Sequence, residues 1–477
     1  MNAPAICVAT LERGRAPTVR RCRQAARDSC VSFDLIFNYG APSAGEIFAM
    51  RKGVLFALIW LVLAALLFAP ADAYASYQMK VLYSFCALAN CADGTGAHGP
   101  LSMDAAGDLF GVSAVGGSAG SGAAFEMVAN AQRTSWTFGV IHNFCAETGC
   151  PDGQNPFGSV AIDKAGNFYG TTYTKAKNNG GAVYMLSPGS GGQWTTQILY
   201  NFCSVEFPAC PDGYNPNTGV TYPGKSKGEL YDGLSPLFGT TIGGFNGVSF
   251  ALKPGNRRWK ETVISQFCQT DGCGYAPEGG LTANAKRIAY GTTWSGGNSV
   301  AGVVYQSVKR GTTWTYTPIY EFDDNHGAGP RGLLALSSAG DLFGTTTVGG
   351  VGEQSLGLLY ELAPHGGNWQ IDVLHQFCSE SGCSDGYSPQ SGPILDKAGN
   401  LFGTTEQGGS AGGGVVYEYV TATKTFEVVY GFCVQANCAA GYGPDQGLVV
   451  DSSGDIFGVT SAGGANGAGT VFELTPG

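Results

Sequence analysis

Six cysteine pairs are the first residues in this chain whose type and spacing could do chemistry. They are Cys86/Cys91, Cys145/Cys150, Cys203/Cys210, Cys268/Cys273, Cys378/Cys383 and Cys433/Cys438. Each pair follows a phenylalanine, as in FCSESGCSDGYSP (377–389). Paired thiols can hold a metal, exchange electrons or close a disulfide. Structural zinc takes four clustered ligands, usually two-residue cysteine knuckles backed by histidine. Here the paired cysteines have four or six residues between them, and the chain has only 5 histidines. Redox catalysis usually shows C-x-x-C, which is absent. An even, position-paired set reads as disulfides formed in an exported chain. Each would close a small loop and contribute about 2 kcal/mol by restricting the unfolded chain.

Other candidates are the residues that break the pattern around the cysteines. In EFDDNHGAGP (321–330) the cysteine pair is replaced by Asp323, Asp324, Asn325 and His326. Clustered oxygen ligands suit calcium, so Asp323 and Asp324 are the candidate metal ligands; a solvated turn is the plainer reading. A second variable position follows a recurring Thr-Thr step and reads Ala114, Tyr173, Ile242, Trp294, Thr347, Glu406 and Ser461. Tyr173 and Trp294 offer faces for stacking a sugar, and Glu406 offers a hydrogen-bond acceptor; ordinary surface variation is the alternative. His142 and His375 occupy a slot filled elsewhere by Tyr83, Tyr200, Tyr320 and Tyr430, which makes them packing residues. Asp93, Asp152, Asp212 and Asp385 lie at or next to an Asp-Gly step and read as turn formers. No catalytic residue is assigned. Glycosidase chemistry needs two facing carboxylates, and the repeated positions expected near the axis are Gly, Thr and aromatic.

The elements that position these residues come from a seven-fold repeat. The aromatic-glycine step of GDLFGTTTVGG (340–350) recurs at 110, 169, 238, 290, 343, 402 and 457. The sixth copy parses into strand A (391–396), strand B (400–405), a glycine-rich loop, strand C (415–420) and strand D (425–432). Seven units of four antiparallel strands predict an all-β, seven-bladed β-propeller. The repeats start with a D strand (77–85) and end with a C strand (469–477), so the N-terminal strand should complete the last blade and close the ring. The D–A crossovers with the cysteines and the B–C glycine loops should share one face. The third repeat enlarges its A–B turn with YPGKSKGELYDGLSP (222–236).

Composition fits this architecture. Glycine is abundant at 75 residues, charged residues are 13% and apolar residues 44%, which suits short strands and tight turns better than disorder. Residues 54–69 form an apolar run behind Met50-Arg51-Lys52 and ahead of Ala73-Tyr74-Ala75, which reads as a signal peptide over 50–75. Residues 1–49 are expected to be a spurious or disordered extension, and 76–477 the propeller. That region has 18 basic and 31 acidic side chains, a net charge of −13, which disfavours nucleic-acid binding.

The motif G-[DN]-L-[FY]-G-T-T-x-x-G-G…G-x-V-[FY]-E-L resembles the GloVer tandem repeat of choice-of-anchor bacterial surface proteins, and it covers all of 76–477. The resemblance implies export and surface display, and brings no defined activity. The expected function is a secreted or cell-surface, non-catalytic binding module for an extracellular glycan or protein. The alternative is an extracellular polysaccharide hydrolase or lyase on the same scaffold. No cofactor is expected apart from calcium at 323–324. The chain is expected to be a monomer that meets a membrane only through its signal segment or an unseen anchor.

Overall fold

The seven glycines of the aromatic-glycine steps explain how the blades pack. In a computed structural model each sits in strand B, where an added Cβ would run into the ring of a strand C aromatic. The pairs are Gly111/Phe125, Gly170/Tyr184, Gly239/Phe250, Gly291/Tyr305, Gly344/Tyr360, Gly403/Tyr417 and Gly458/Phe472. All seven rings are fully buried. The missing side chain of one strand is therefore the seat for the largest side chain of the next.

The structure describes residues 77–205, 209–244, 246–267, 273–352 and 356–477. The expected extension (1–49), the expected signal peptide (50–75) and Cys268 lie outside the described residues. The fold is a seven-bladed β-propeller of four-stranded antiparallel blades. Blade 6 consists of Ile394–Leu395, Leu401–Thr405, Val415–Val420 and Thr425–Gly431, paired in that order. Blade 7 consists of Val449–Val450, Ile456–Val459 and Thr470–Thr475, and its fourth strand is Gln78–Ser84 from the opposite end of the ring. The register runs from Gln78↔Thr475 to Ser84↔Thr470. The expected closure is therefore present.

Each neighbouring pair of blades encloses one apolar cluster. Phe85, Leu101, Leu109 and Phe125 meet Phe457, Val459 and Val471 where blade 1 joins blade 7. Phe402, Val416 and Phe432 meet Leu448, Ile456 and Phe472 between blades 6 and 7. Strand D is the outermost strand and carries a β-bulge in every blade, for example between Ile198 and Tyr200 and between Val81 and Tyr83. The extra residue lets Leu199 face the neighbouring core while Tyr200 turns to the crossover.

Three stability measurements follow. Deleting 77–85 removes the fourth strand of blade 7 together with Phe85, so thermal unfolding should shift by on the order of 5 kcal/mol or more. An unchanged melting temperature would refute the closure. Gly403→Ala should destabilise by about 1–3 kcal/mol through overpacking against Tyr417. Tyr417→Phe should be neutral or stabilising in the same melts, because the Tyr417 hydroxyl is buried without a partner and Phe serves at the equivalent positions 125, 250 and 472.

Candidate functional site

Every crossover enters its blade through one residue in the left-handed conformation. These residues are Gly96, Asn155, Asn215, Ala276, Gly329, Ser388 and Gly443, with φ between 53° and 65°. Six are followed by proline; Gly96 is followed by Ala97. Each left-handed residue donates its N–H to the preceding blade, to the carbonyls of Ala468, Ser121, Gly180, Asn246, Ala301, Leu356 and Gly413 respectively, at 2.7–3.1 Å. The glycine after each of these acceptors has no room for a Cβ. At Gly122, Gly181, Gly247, Gly302, Gly357 and Gly414 that Cβ would strike the next blade's proline.

The kink turns the residue two positions on toward the central channel, a cavity of about 2050 Å³. That position holds His98, Phe157, Asn217, Glu278, Arg331, Gln390 and Asp445, a different side chain in each blade. Backbone is repeated here and chemistry is not. Arg331 donates through Nε to Glu278 at 2.8 Å, bonds the same carboxylate through a second nitrogen, and donates to Gln390. Gln390 in turn donates to Glu406 at 3.0 Å. The Arg331 guanidinium lies over the Trp294 ring at 4.9 Å, so the cation is held by a carboxylate and a π-face together. On the other side His98 meets Phe157 at 5.2 Å, and Phe157 meets Tyr173 at 6.1 Å, ring centre to ring centre. Burial pushes the Asp445 carboxyl above the ordinary carboxylate range; Glu406 adds to this, while His98 opposes it. The Oδ1 atom of Asp445 is buried with no hydrogen-bond partner. Burial also raises Tyr173, helped by Glu278 and Tyr214.

The residues after the Thr-Thr steps therefore sit beside this ring. Trp294 packs on Arg331 and covers the kink glycine Gly329, Glu406 anchors Gln390, and Tyr173 flanks Phe157. Trp294 and Glu406 join one network; Tyr173 belongs to the aromatic arc. The axis presents the expected Gly and Thr at repeated positions, such as Gly158, Gly332 and Thr218, and in addition the variable ring. The channel residues behind the kinks are mostly polar or charged and share no motif. Their signal is one unlike residue directly behind a repeated x-Pro.

The other expectations fall on the crossovers. The disulfides Cys86–Cys91, Cys145–Cys150, Cys203–Cys210, Cys378–Cys383 and Cys433–Cys438 are formed. Cys273 is also disulfide-bonded. The glycine loops dock on them: Gly117, Gly297, Gly409 and Gly464 donate to the carbonyls of Cys91, Cys273, Cys383 and Cys438. Asp93, Asp152, Asp212 and Asp385 are more than turn formers. They are buried and accept from Tyr83 (2.6 Å), His142 (2.8 Å), Tyr200 (2.7 Å) and His375 (3.0 Å), as well as from crossover amides. In blade 5 the exposed Asp323 accepts from the His326 amide and ring at 2.9 Å, and the Asp324 carbonyl accepts from Gly327 and Gly350. Among the described residues no three His, Cys, Asp or Glu side chains are gathered to share a metal.

Several solved structures are similar to the chain. A Lactobacillus plantarum protein is 13% identical, over 70% of this chain and 83% of that one, with a TM-score of 0.41. A GH74 xyloglucanase from Xanthomonas campestris is 14% identical, over 80% and 52%, with a TM-score of 0.44. A Trypanosoma rangeli sialidase is 11% identical, over 73% and 57%, with a TM-score of 0.36. The chain thus spans little more than half of each of these two enzymes. No curated protein sequence matches it. A family model does match, and by it the chain carries the Gloeobacter/Verrucomicrobia repeat over residues 352–477.

Proposed function

We propose that this protein is an exported, non-catalytic binding propeller that takes a glycan at the channel mouth. The observation that carries the reading is the ring itself. Seven positions share one backbone geometry and hold seven different side chains. Packing alone gives no reason for that variety, whereas recognition of an asymmetric polar ligand does. The composition suits a sugar. Phe157 lines the channel as an apolar face for C–H groups, with Tyr173 beside it and Trp294 behind Arg331, and Glu278, Glu406, Asp445 and Asn217 offer acceptors for hydroxyls. Arg331 and Gln390 hold two of these carboxylates in fixed positions, which lowers the ordering cost of binding. Export is supported by the disulfides, which persist in oxidising compartments, and by the apolar run at 54–69.

One observation favours an enzyme instead. Asp445, raised by burial, and Glu406 line the same channel, so an acid and a carboxylate, the two groups polysaccharide hydrolysis uses, face one cavity.

A glycan array followed by calorimetry tests both readings. Arg331→Ala and Phe157→Ala are each expected to weaken the bound glycan at least about tenfold, or about 1.4 kcal/mol, with melting temperatures within a few degrees. Reducing-end release from that glycan should be undetectable. Turnover abolished by Asp445→Asn would establish the enzyme reading, and an array without hits would remove the glycan.

A further inference from the structure

Blade 3 alone enlarges its A–B turn, and the insertion ends in the channel, away from the ring of kink residues. Its framework is tied down at several points. The Tyr231 amide donates to the Ile162 carbonyl of blade 2 at 2.9 Å, the Tyr222 hydroxyl to the Glu229 carbonyl at 2.7 Å, and the Tyr231 hydroxyl to the Ser235 carbonyl at 2.6 Å. Between Gly224 (φ 106°) and Gly228 (φ 70°), both left-handed, a single 3-10 turn Lys225–Lys227 presents Lys225 to the cavity.

The surroundings of that amine are unusual for a lysine. Its Nζ donates to the Val160 carbonyl at 2.7 Å, and among the described residues no carboxylate reaches it. The Val160 oxygen already has a donor, the Ser102 hydroxyl at 2.7 Å, so the amine is not needed to satisfy it. Lys225 is half-buried in the channel wall, and an ammonium without a counter-charge is costly to hold in such a partly desolvated position. Lys227, two residues on, is exposed. Burial accordingly lowers Lys225 to about 7, which leaves much of it neutral and nucleophilic at physiological pH.

We propose that Lys225 is a carbonyl-reactive amine that captures an aldehyde-bearing ligand inside the channel, with Ser102 as the neighbouring hydroxyl. The Nζ lone pair attacks the carbonyl carbon and forms the C–N bond. The C=O π pair moves to oxygen, which takes up a proton as the nitrogen loses one. The carbinolamine then loses this oxygen as water and becomes an imine, and water reverses the sequence. No oxidant, reductant or metal is consumed. The Ser102 hydroxyl shares the Val160 carbonyl oxygen with the amine, and we assign it as the donor to the carbinolamine oxygen.

The test is reductive trapping on the folded protein. Glycolaldehyde with cyanoborohydride at pH 7, followed by peptide mass mapping, should modify Lys225 at least about tenfold faster than Lys227. This comparison is internal to the wild-type chain and needs no variant to fold. Lys225→Arg should remove the fast adduct, and Ser102→Ala should slow it severalfold with the melting temperature retained. Lys225 labelling no faster than Lys227, or a fast adduct that survives Lys225→Arg, would overturn the proposal.

Discussion

One hydrogen bond, repeated seven times, joins the blades: the amide of a left-handed residue at the end of each crossover donates to the last carbonyl before a glycine in the preceding blade. That glycine is a hub. Its own carbonyl accepts from the strand D phenylalanine of its blade, at Phe85, Phe144, Phe202, Phe267, Phe322, Phe377 and Phe432, at 2.9–3.2 Å. In six of the seven, its missing side chain admits the next blade's proline. The glycine-rich composition is therefore a packing requirement. Two backbones must approach where any Cβ would intrude, and the loop must hold positive φ to offer both carbonyls.

The crossovers are held from within by two devices. A disulfide spans each described cysteine pair, and both cysteines of every such pair have positive φ, a conformation unfavourable for a residue with a Cβ. A buried aspartate gathers crossover amides and a strand D tyrosine or histidine. The two partners change together in blade 3 and separately in blade 6. Blade 3 has Ser265 in the tyrosine slot, and no aspartate follows Cys273, whereas Tyr430 faces Ala440 and its hydroxyl is left without a partner. Blade 5 holds its crossover without sulfur, through Asp323 on His326 and the Asp324 carbonyl on the glycine loop. With the crossovers fixed in this way, the residue behind each kink can vary without loss of the fold.

Much of this was legible from residue patterns, for identifiable reasons. Strand B of the sixth repeat, expected at 400–405, spans Leu401–Thr405, because alternation and turn residues act locally. The ring closure followed from the offset of one D strand, a matter of counting. The roles of Asp93, Asp152, Asp212 and Asp385 were not legible as more than turns. They are buried and bonded to a strand D tyrosine or histidine that follows the bulge, which sequence periodicity does not reveal. The channel ring was missed for a related reason. His98, Glu278, Arg331 and Asp445 share no residue type, and only the shared kink makes them one set. Tyr173, Trp294 and Glu406 stood out because they occupy the variable position after a recurring Thr-Thr step, and they lie beside that set.

The most direct test of the repeated kink is native-state amide hydrogen exchange at Gly96, Asn155, Asn215, Ala276, Gly329, Ser388 and Gly443. If these amides join the blades, all seven will exchange only through global unfolding, at the slow rate of strand C amides. If they exchange as fast as exposed turn amides such as Gly191 and Gly382, the blades are not joined there, and the ring of unlike side chains would have no rigid frame to act on.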